Sequence, residues 1–290
     1  MIFKSFILSF CLISLAFPCL YAEGSATAES DQQINDFSLS GYGEKGKKSW
    51  EIFGKTADVF TEDIQLDDVI GNLYGEEEDV KLTGDKGKFN KENGKLRLED
   101  NVVITTSSGA KLTTDSLEWD RKEQVVSTKD SVNIERNSMM AVAIGAKGEP
   151  NLNKVSLEKD VRVDIKPDQA QGSKETIMIT CDGPLEIEYE KNMATFYNNV
   201  KVEREDSIIY GDRLDIYFSS AGTRDSSQGF MNNKIEKIVA KGNVKIVRDE
   251  NISYSQKAIY TAADKKIVLS GRPKLVISSA GDLDDASFGN

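Results

Sequence analysis

The side chains that could do chemistry in this 290-residue chain are an unusual set: 48 Asp and Glu, 37 Lys and Arg, three cysteines and not one histidine. Without imidazole there is no ordinary base to activate a Ser or Cys nucleophile, and no such pair or triad can be assembled. Paired carboxylates remain, and on a β-solenoid they could cleave glycosidic bonds. Here the acids fall mostly in turn-like stretches and at positions that alternate with apolar ones, where solubility accounts for them. The cluster "GEEED" (75–79) reads as a solvated turn rather than a calcium loop, and Cys181 in "ITCDG" as a small buried residue rather than a reactive thiol. The expectation is a non-enzyme with no catalytic residue, no metal and no cofactor. Formal charge is −11 and is spread along the chain, so the basic face that nucleic-acid binding requires is missing.

What recurs instead is apolar. "LEDNVVI" (98–104), "TKDSVNI" (128–134), "LEKDVRV" (157–163), "FYNNVKV" (196–202) and "AKGNVKI" (240–246) repeat one phrase, and "LSGRPKL" (269–275) is a looser sixth copy. Aligned on their centres, Val102, Val132, Val161, Val200, Val244 and Pro273 are followed two residues later by Ile104, Ile134, Val163, Val202, Ile246 and Leu275. Upstream stand Leu96, Leu98 and Phe196, and seven residues before the Leu96 class stand Phe89 and Trp119. Between them lie polar residues such as Arg97, Ser127, Lys201 and Lys245. Period-two alternation marks a strand with one dry face and one wet face. Turn-like "NKENG" (90–94), "DRKE" (120–123), "EKN" (190–192) and "AADK" (262–265) separate the strands. Each unit therefore reads strand, hairpin turn, strand, corner at Asp, Asn or Gly, strand.

Most centres are 29 or 30 residues apart; Val161 to Val200 is 39 and Val200 to Val244 is 44. The first excess falls in polar "KPDQAQGSKE" (166–175), a candidate linker or hinge. The second falls in "SSAGTRDSSQGFMNNK" (219–234), which reads as an enlarged hairpin loop. At the N-terminus, Lys4, the apolar "FILSFCLISLAF" (6–17) and "CLYA" ending at Ala22 make residues 1–22 a signal peptide. A retained anchor is the competing reading, although Lys4 and Pro18 shorten the clean run below the roughly 20 residues of a span. The predicted organisation is a leader (1–22), one β half (37–165), a second β half (176–277) and a flexible tail (278–290). A parallel β-helix also repeats short strands, but these turns favour antiparallel hairpins. The predicted fold is all-β, an elongated antiparallel β-jelly roll with an open apolar groove and unpaired strand edges at both ends.

The phased series resembles the OstA-like periplasmic proteins of lipopolysaccharide transport. "FSLSGYGEKGKKSWEIFGKTADVF" (37–60) and "IQLDDVIGNLYGEEEDVKLTGDKGKFN" (64–90) are similar to the opening of LptC. "ITCDGPLEIEYEKNMATFYNNVKVEREDSIIYGDRLDIYF" (179–218) and the stretch from "IEKIVAKGNVKI" (235–246) to 271 are similar to LptA. The resemblance implies a bridge that moves lipopolysaccharide from an inner-membrane ABC transporter toward an outer-membrane barrel. Its expected partners are lipid A acyl chains, those two membrane complexes, other Lpt jelly rolls and further copies of itself, head to tail. The implied groove lining is Leu96, Leu98, Val102, Ile104, Trp119, Val132, Ile134, Val161, Val163, Phe196, Val200, Val202, Val244 and Ile246. A structural or adhesive repeat protein, with the same residues serving as core and no lipid cargo, is the alternative.

Overall fold

The computed structural model describes residues 32–43, 46–75, 79–136, 138–149, 154–166, 176–219, 235–264 and 266–278. The leader (1–22), the centre of the acidic cluster, most of the polar runs 166–175 and 219–234, and the tail from 279 lie outside these residues.

Among the described residues seventeen strands form one antiparallel sheet. The first six are β1 (Gln32–Tyr42), β2 (Lys48–Val59), β3 (Asp63–Leu73), β4 (Val80–Asn90), β5 (Lys95–Thr106) and β6 (Lys111–Asp120). Next come β7 (Val125–Arg136), β8 (Met139–Glu149), β9 (Lys154–Ile165), β10 (Ile177–Cys181), β11 (Leu185–Glu188) and β12 (Met193–Arg204). The last are β13 (Ser207–Phe218), β14 (Ile235–Arg248), β15 (Asn251–Thr261), β16 (Lys266–Ser270) and β17 (Lys274–Val276). Successive strands pair, so the chain meanders from one end to the other. β10 and β11 share one rung between β9 and β12, and β16 and β17 share the last rung beside β15, so the seventeen strands make fifteen rungs. At about 4.8 Å per rung such a stack runs for roughly 65–70 Å. The predicted turns at 90–94, 120–123, 190–192 and 262–265 all join consecutive paired strands.

The repeated phrase is the place where the sheet folds over. Within strands, Asp36, Asp68, Asp100, Asn101, Asp160, Asn198, Asn199 and Asn243 have φ between 47° and 64°. Short polar side chains tolerate this left-handed region, which branched ones resist. Strand register slips at the same places, between Glu99 and Val102, Tyr197 and Val200, and Lys241 and Val244. Such bulges bend a strand and sharpen its twist. The corner amides are tied across to the neighbouring rung: Asn101 Nδ2 donates to Asp85 at 2.6 Å, Asn243 Nδ2 to Asp212 at 2.9 Å, and Asn198 Nδ2 to the Gly183 carbonyl at 2.8 Å. Gly183 itself has φ +100, and a Cβ there would lie 2.2 Å from the Glu158 carbonyl oxygen. The line of corners divides the sheet into two leaves whose inward side chains pack on each other.

That interior falls into two clusters. The first joins β2 to β6 through Ile52, Ala57, Leu66, Val69, Leu82, Leu96, Leu98, Val102 and Leu117. The second runs from Val132 on β7 to Ala258 on β15. Between them the β6–β7 ladder is interrupted: pairing stops at Thr113–Asn133 and resumes at Glu118–Ser127. Buried Thr114 and Thr128 meet there through their hydroxyls at 3.4 Å, and Ser116 donates to Asp130 at 2.5 Å. By contrast the sheet carries on across the polar run 166–175, since Ile177 pairs with Ile165.

Candidate lipid groove

All fourteen residues expected to line a groove point into these two clusters. The structure then sorts them by depth. Leu98, Val102, Val132, Val161, Val200 and Val244 are each at most 2% exposed and sit beside the corners. They form the closed spine of the fold and line neither of the two cavities described next. Leu96 and Trp119 line a cavity of about 160 Å³ in the first cluster. Ile134, Val163 and Phe196 line a larger cavity of about 310 Å³ in the second. Ile104, Val202 and Ile246 are half-buried and pack against the clusters from the leaf that follows the corner. Period-two reading thus identifies the inward face, but it does not separate spine from groove.

The smaller cavity lies between β1, β2, β3 and the ends of β4, β5 and β6, against Phe37, Trp50, Ile64 and Phe89. Trp50 and Trp119 meet edge to face, with ring centroids 6.5 Å apart and planes at 82°. The Arg121 guanidinium stands 5.0 Å from the Trp50 centroid and 5.9 Å from that of Phe89, a cation–π lid at the rim. The larger cavity takes Ile134, Met139, Val163 and Ile165 from one leaf, with Leu157, Leu185, Ile187, Phe196, Ile216 and Phe218 from the other. Its size reaches the lower end of ordinary ligand pockets. Most of these residues follow the same alternation as the repeated phrase. Leu185 and Ile187 on β11 stand at the same upstream steps as Leu117 and Trp119, whereas those on β10 and β13 lie on strands that are short or lack the phrase.

Most of the ion pairs are on the outside. Lys201 and Glu203 pair at 2.6 Å, Lys95 and Glu118 at 2.8 Å, and Lys154 and Glu186 at 3.0 Å. Asp215, fully buried on the outward face, receives Arg213 Nε at 2.6 Å and Lys241 Nζ at 2.8 Å. Burial pushes its carboxyl up, but the hydrogen bonds and charges of Lys241 and Arg213 outweigh that and hold it below the usual carboxylate value. Cys181 is a free, buried thiol in the larger core, and burial pushes its pKa up, as fits a packing residue. Among the described residues, no three His, Cys, Asp or Glu side chains gather where they could hold a metal ion.

An antiparallel sheet folded over an apolar interior, with most of its charges outside, defines an elongated open β-jelly roll. Residues 6–166 match the LptC-related family of lipopolysaccharide assembly, and residues 179–288 match the family of LptA and the LptD N-terminal domain, lipopolysaccharide transport proteins. The first match spans more than half of the chain, and the protein belongs to the LptC-related family. Its C-terminal part is an LptA-like segment in the same sheet. No curated protein matches the chain. A role in lipopolysaccharide transport follows from both families.

Proposed function

We propose that the protein is a periplasmic bridge that carries lipopolysaccharide from the inner-membrane ABC transporter toward the outer-membrane barrel, with lipid A acyl chains between its two leaves. One observation carries this reading. The larger cavity is lined from both sides of the family join, by Ile134 and Val163 from the LptC-like segment and by Ile179, Leu185 and Phe196 from the LptA-like segment. A passage that crosses the join suits one chain doing the work of two adjoining carriers. Residues 1–22 direct export and are removed after Ala22, which the intact mass of the purified protein checks.

The ends of the sheet support the bridge. Among the described residues β1 pairs only with β2, and β16 and β17 only with β15. Leu39 on β1 and Ile267, Val268 and Leu275 on the last rung are exposed apolar residues, whereas Leu96 and Val163, at the steps of Ile267 and Leu275 inside the stack, are buried. Free backbone groups flanked by apolar side chains suit strand addition by another jelly roll or a second copy. The nearer edge is β1 alone, because β2, which makes up most of the segment 37–60, is paired on both sides.

The test of cargo is photo-crosslinking in cells. A photoreactive amino acid at Phe196, inside the larger cavity, is expected to capture lipopolysaccharide. One at Lys201, on the outward face, is expected to stay silent. Silence at both positions, in folded protein and with transport running, would mean that the interior is packed core and that the structural-repeat reading is right.

A further inference from the structure

Two charged side chains are buried among the described residues, Asp215 and Arg136. Asp215 has two cationic partners; Arg136 has none among the described residues, and its Nε is buried without any hydrogen bond. Arg136 ends β7, two residues beyond Ile134 and four beyond Val132, so it occupies the next inward position of the dry row. It lines the larger cavity beside Ile134, Ser138 and Met139 and is 9% exposed. At the same step in other copies stand Thr106, Ile165, Arg204 and Arg248; both of these arginines are exposed, and Arg248 already holds Asp206 at 2.7 Å. A guanidinium in an apolar wall, without a counter-ion, is disfavoured unless something anionic completes it. Its planar fork of donors matches the oxygens of a phosphate, and the low dielectric strengthens that bond.

We infer that Arg136 is an anion seat at the larger cavity, binding the phosphate head of an amphiphile whose chain lies along Ile134, Val163 and Ile179. The inference rests on the carrier reading above and adds to it a fixed polar anchor that orients the cargo.

Calorimetric titration of the full-length protein with dodecyl phosphate, dodecyl maltoside and inorganic phosphate, below micelle-forming concentrations, tests it. The wild type is expected to bind dodecyl phosphate about tenfold or more tighter than the uncharged maltoside, the scale of a charge-assisted hydrogen bond. R136K should keep part of that preference, and R136M should bind the two amphiphiles alike. R136M should also melt no lower than wild type, since it removes an unpaired buried charge. A wild type without the preference, or an R136M that retains it, would overturn the anion seat while binding of both amphiphiles left the carrier reading standing. Failure of wild type to bind either amphiphile would strike the carrier reading itself, and the seat with it. Inorganic phosphate binding as tightly as dodecyl phosphate would show a site for the free anion and overturn the amphiphile.

Discussion

Asp215→Asn isolates the value of the carboxylate that, among the described residues, the fold buries with partners. Asparagine keeps the shape but gives up the charge that receives Arg213 at 2.6 Å and Lys241 at 2.8 Å. The Arg213 contact is a hydrogen bond, which to a charged group contributes about 1.5–3 kcal/mol when intact, and the Lys241 contact is an ion pair. The two cations keep side-chain exposures of 37% and 42%, so water recovers part of each loss. Arg213 also retains its place 5.0 Å from the Tyr197 ring. The net cost at pH 7 should be about 2 kcal/mol. The Asp215 pKa is depressed in the folded protein from its ordinary 3.8, so its stabilisation is fully present above pH 3.8 and is lost as pH falls through the folded value. Urea unfolding followed by circular dichroism should therefore show a clear gap between wild type and D215N at pH 7, and the gap should narrow steadily as the pH is lowered past 3.8. In protein lacking residues 1–22, Cys181 is the sole thiol and lies in the same core. Its labelling at pH 7 should speed up by about thirtyfold if opening is at equilibrium. A D215N protein as stable as wild type at pH 7, or a gap unchanged into acid, would refute the claim that this ion cluster stabilises the sheet.

At the corners, Asn243→Val places a branched side chain at φ +47 and deletes the bond to Asp212, for an expected loss of about 2 kcal/mol in urea unfolding. Asn243→Gly, which tolerates that backbone, should lose less than about 1 kcal/mol, and equal losses would show that left-handed geometry is not what the phrase encodes. For the edges, cysteines at Leu39 and Val268 should form disulfide-linked chains of two or more copies on mild oxidation, whereas a cysteine at Lys201 should not. A Leu39 and Val268 pair that gives only monomers, and that captures no other transport component, would count against end-to-end bridging.

The inward face was legible because a strand alternates its side chains with period two, a local property that needs no knowledge of neighbours. The corners were legible for a similar reason: Asp, Asn and Gly are the residues that accept a left-handed backbone, and they recur at a fixed step before the central valine. The last copy behaves differently. Ile267 and Leu275 keep the pattern but are exposed, because among the described residues no further rung lies beyond them to bury them. Met140, Val142 and Ile144 on β8 are apolar yet face outward, so composition alone misplaces them there.

Residue order by itself determined the alternation of strands and turns, the dry face, the bends and the absence of an imidazole-based catalytic site, all of which depend on residue type and near spacing. Only the tertiary structure decided which inward residues are spine and which line open space. Val132, Ile134 and Arg136 stand in one alternating row, yet the first is sealed at the corner, the second borders the cavity and the third is a buried cation without a partner among the described residues. The division of the core at β6–β7 was likewise set by an interrupted ladder and not by the polar run at 166–175. Alternation specifies a direction from the strand, whereas depth and company depend on how far apart the two leaves stand at each rung, and that distance is a property of the folded sheet.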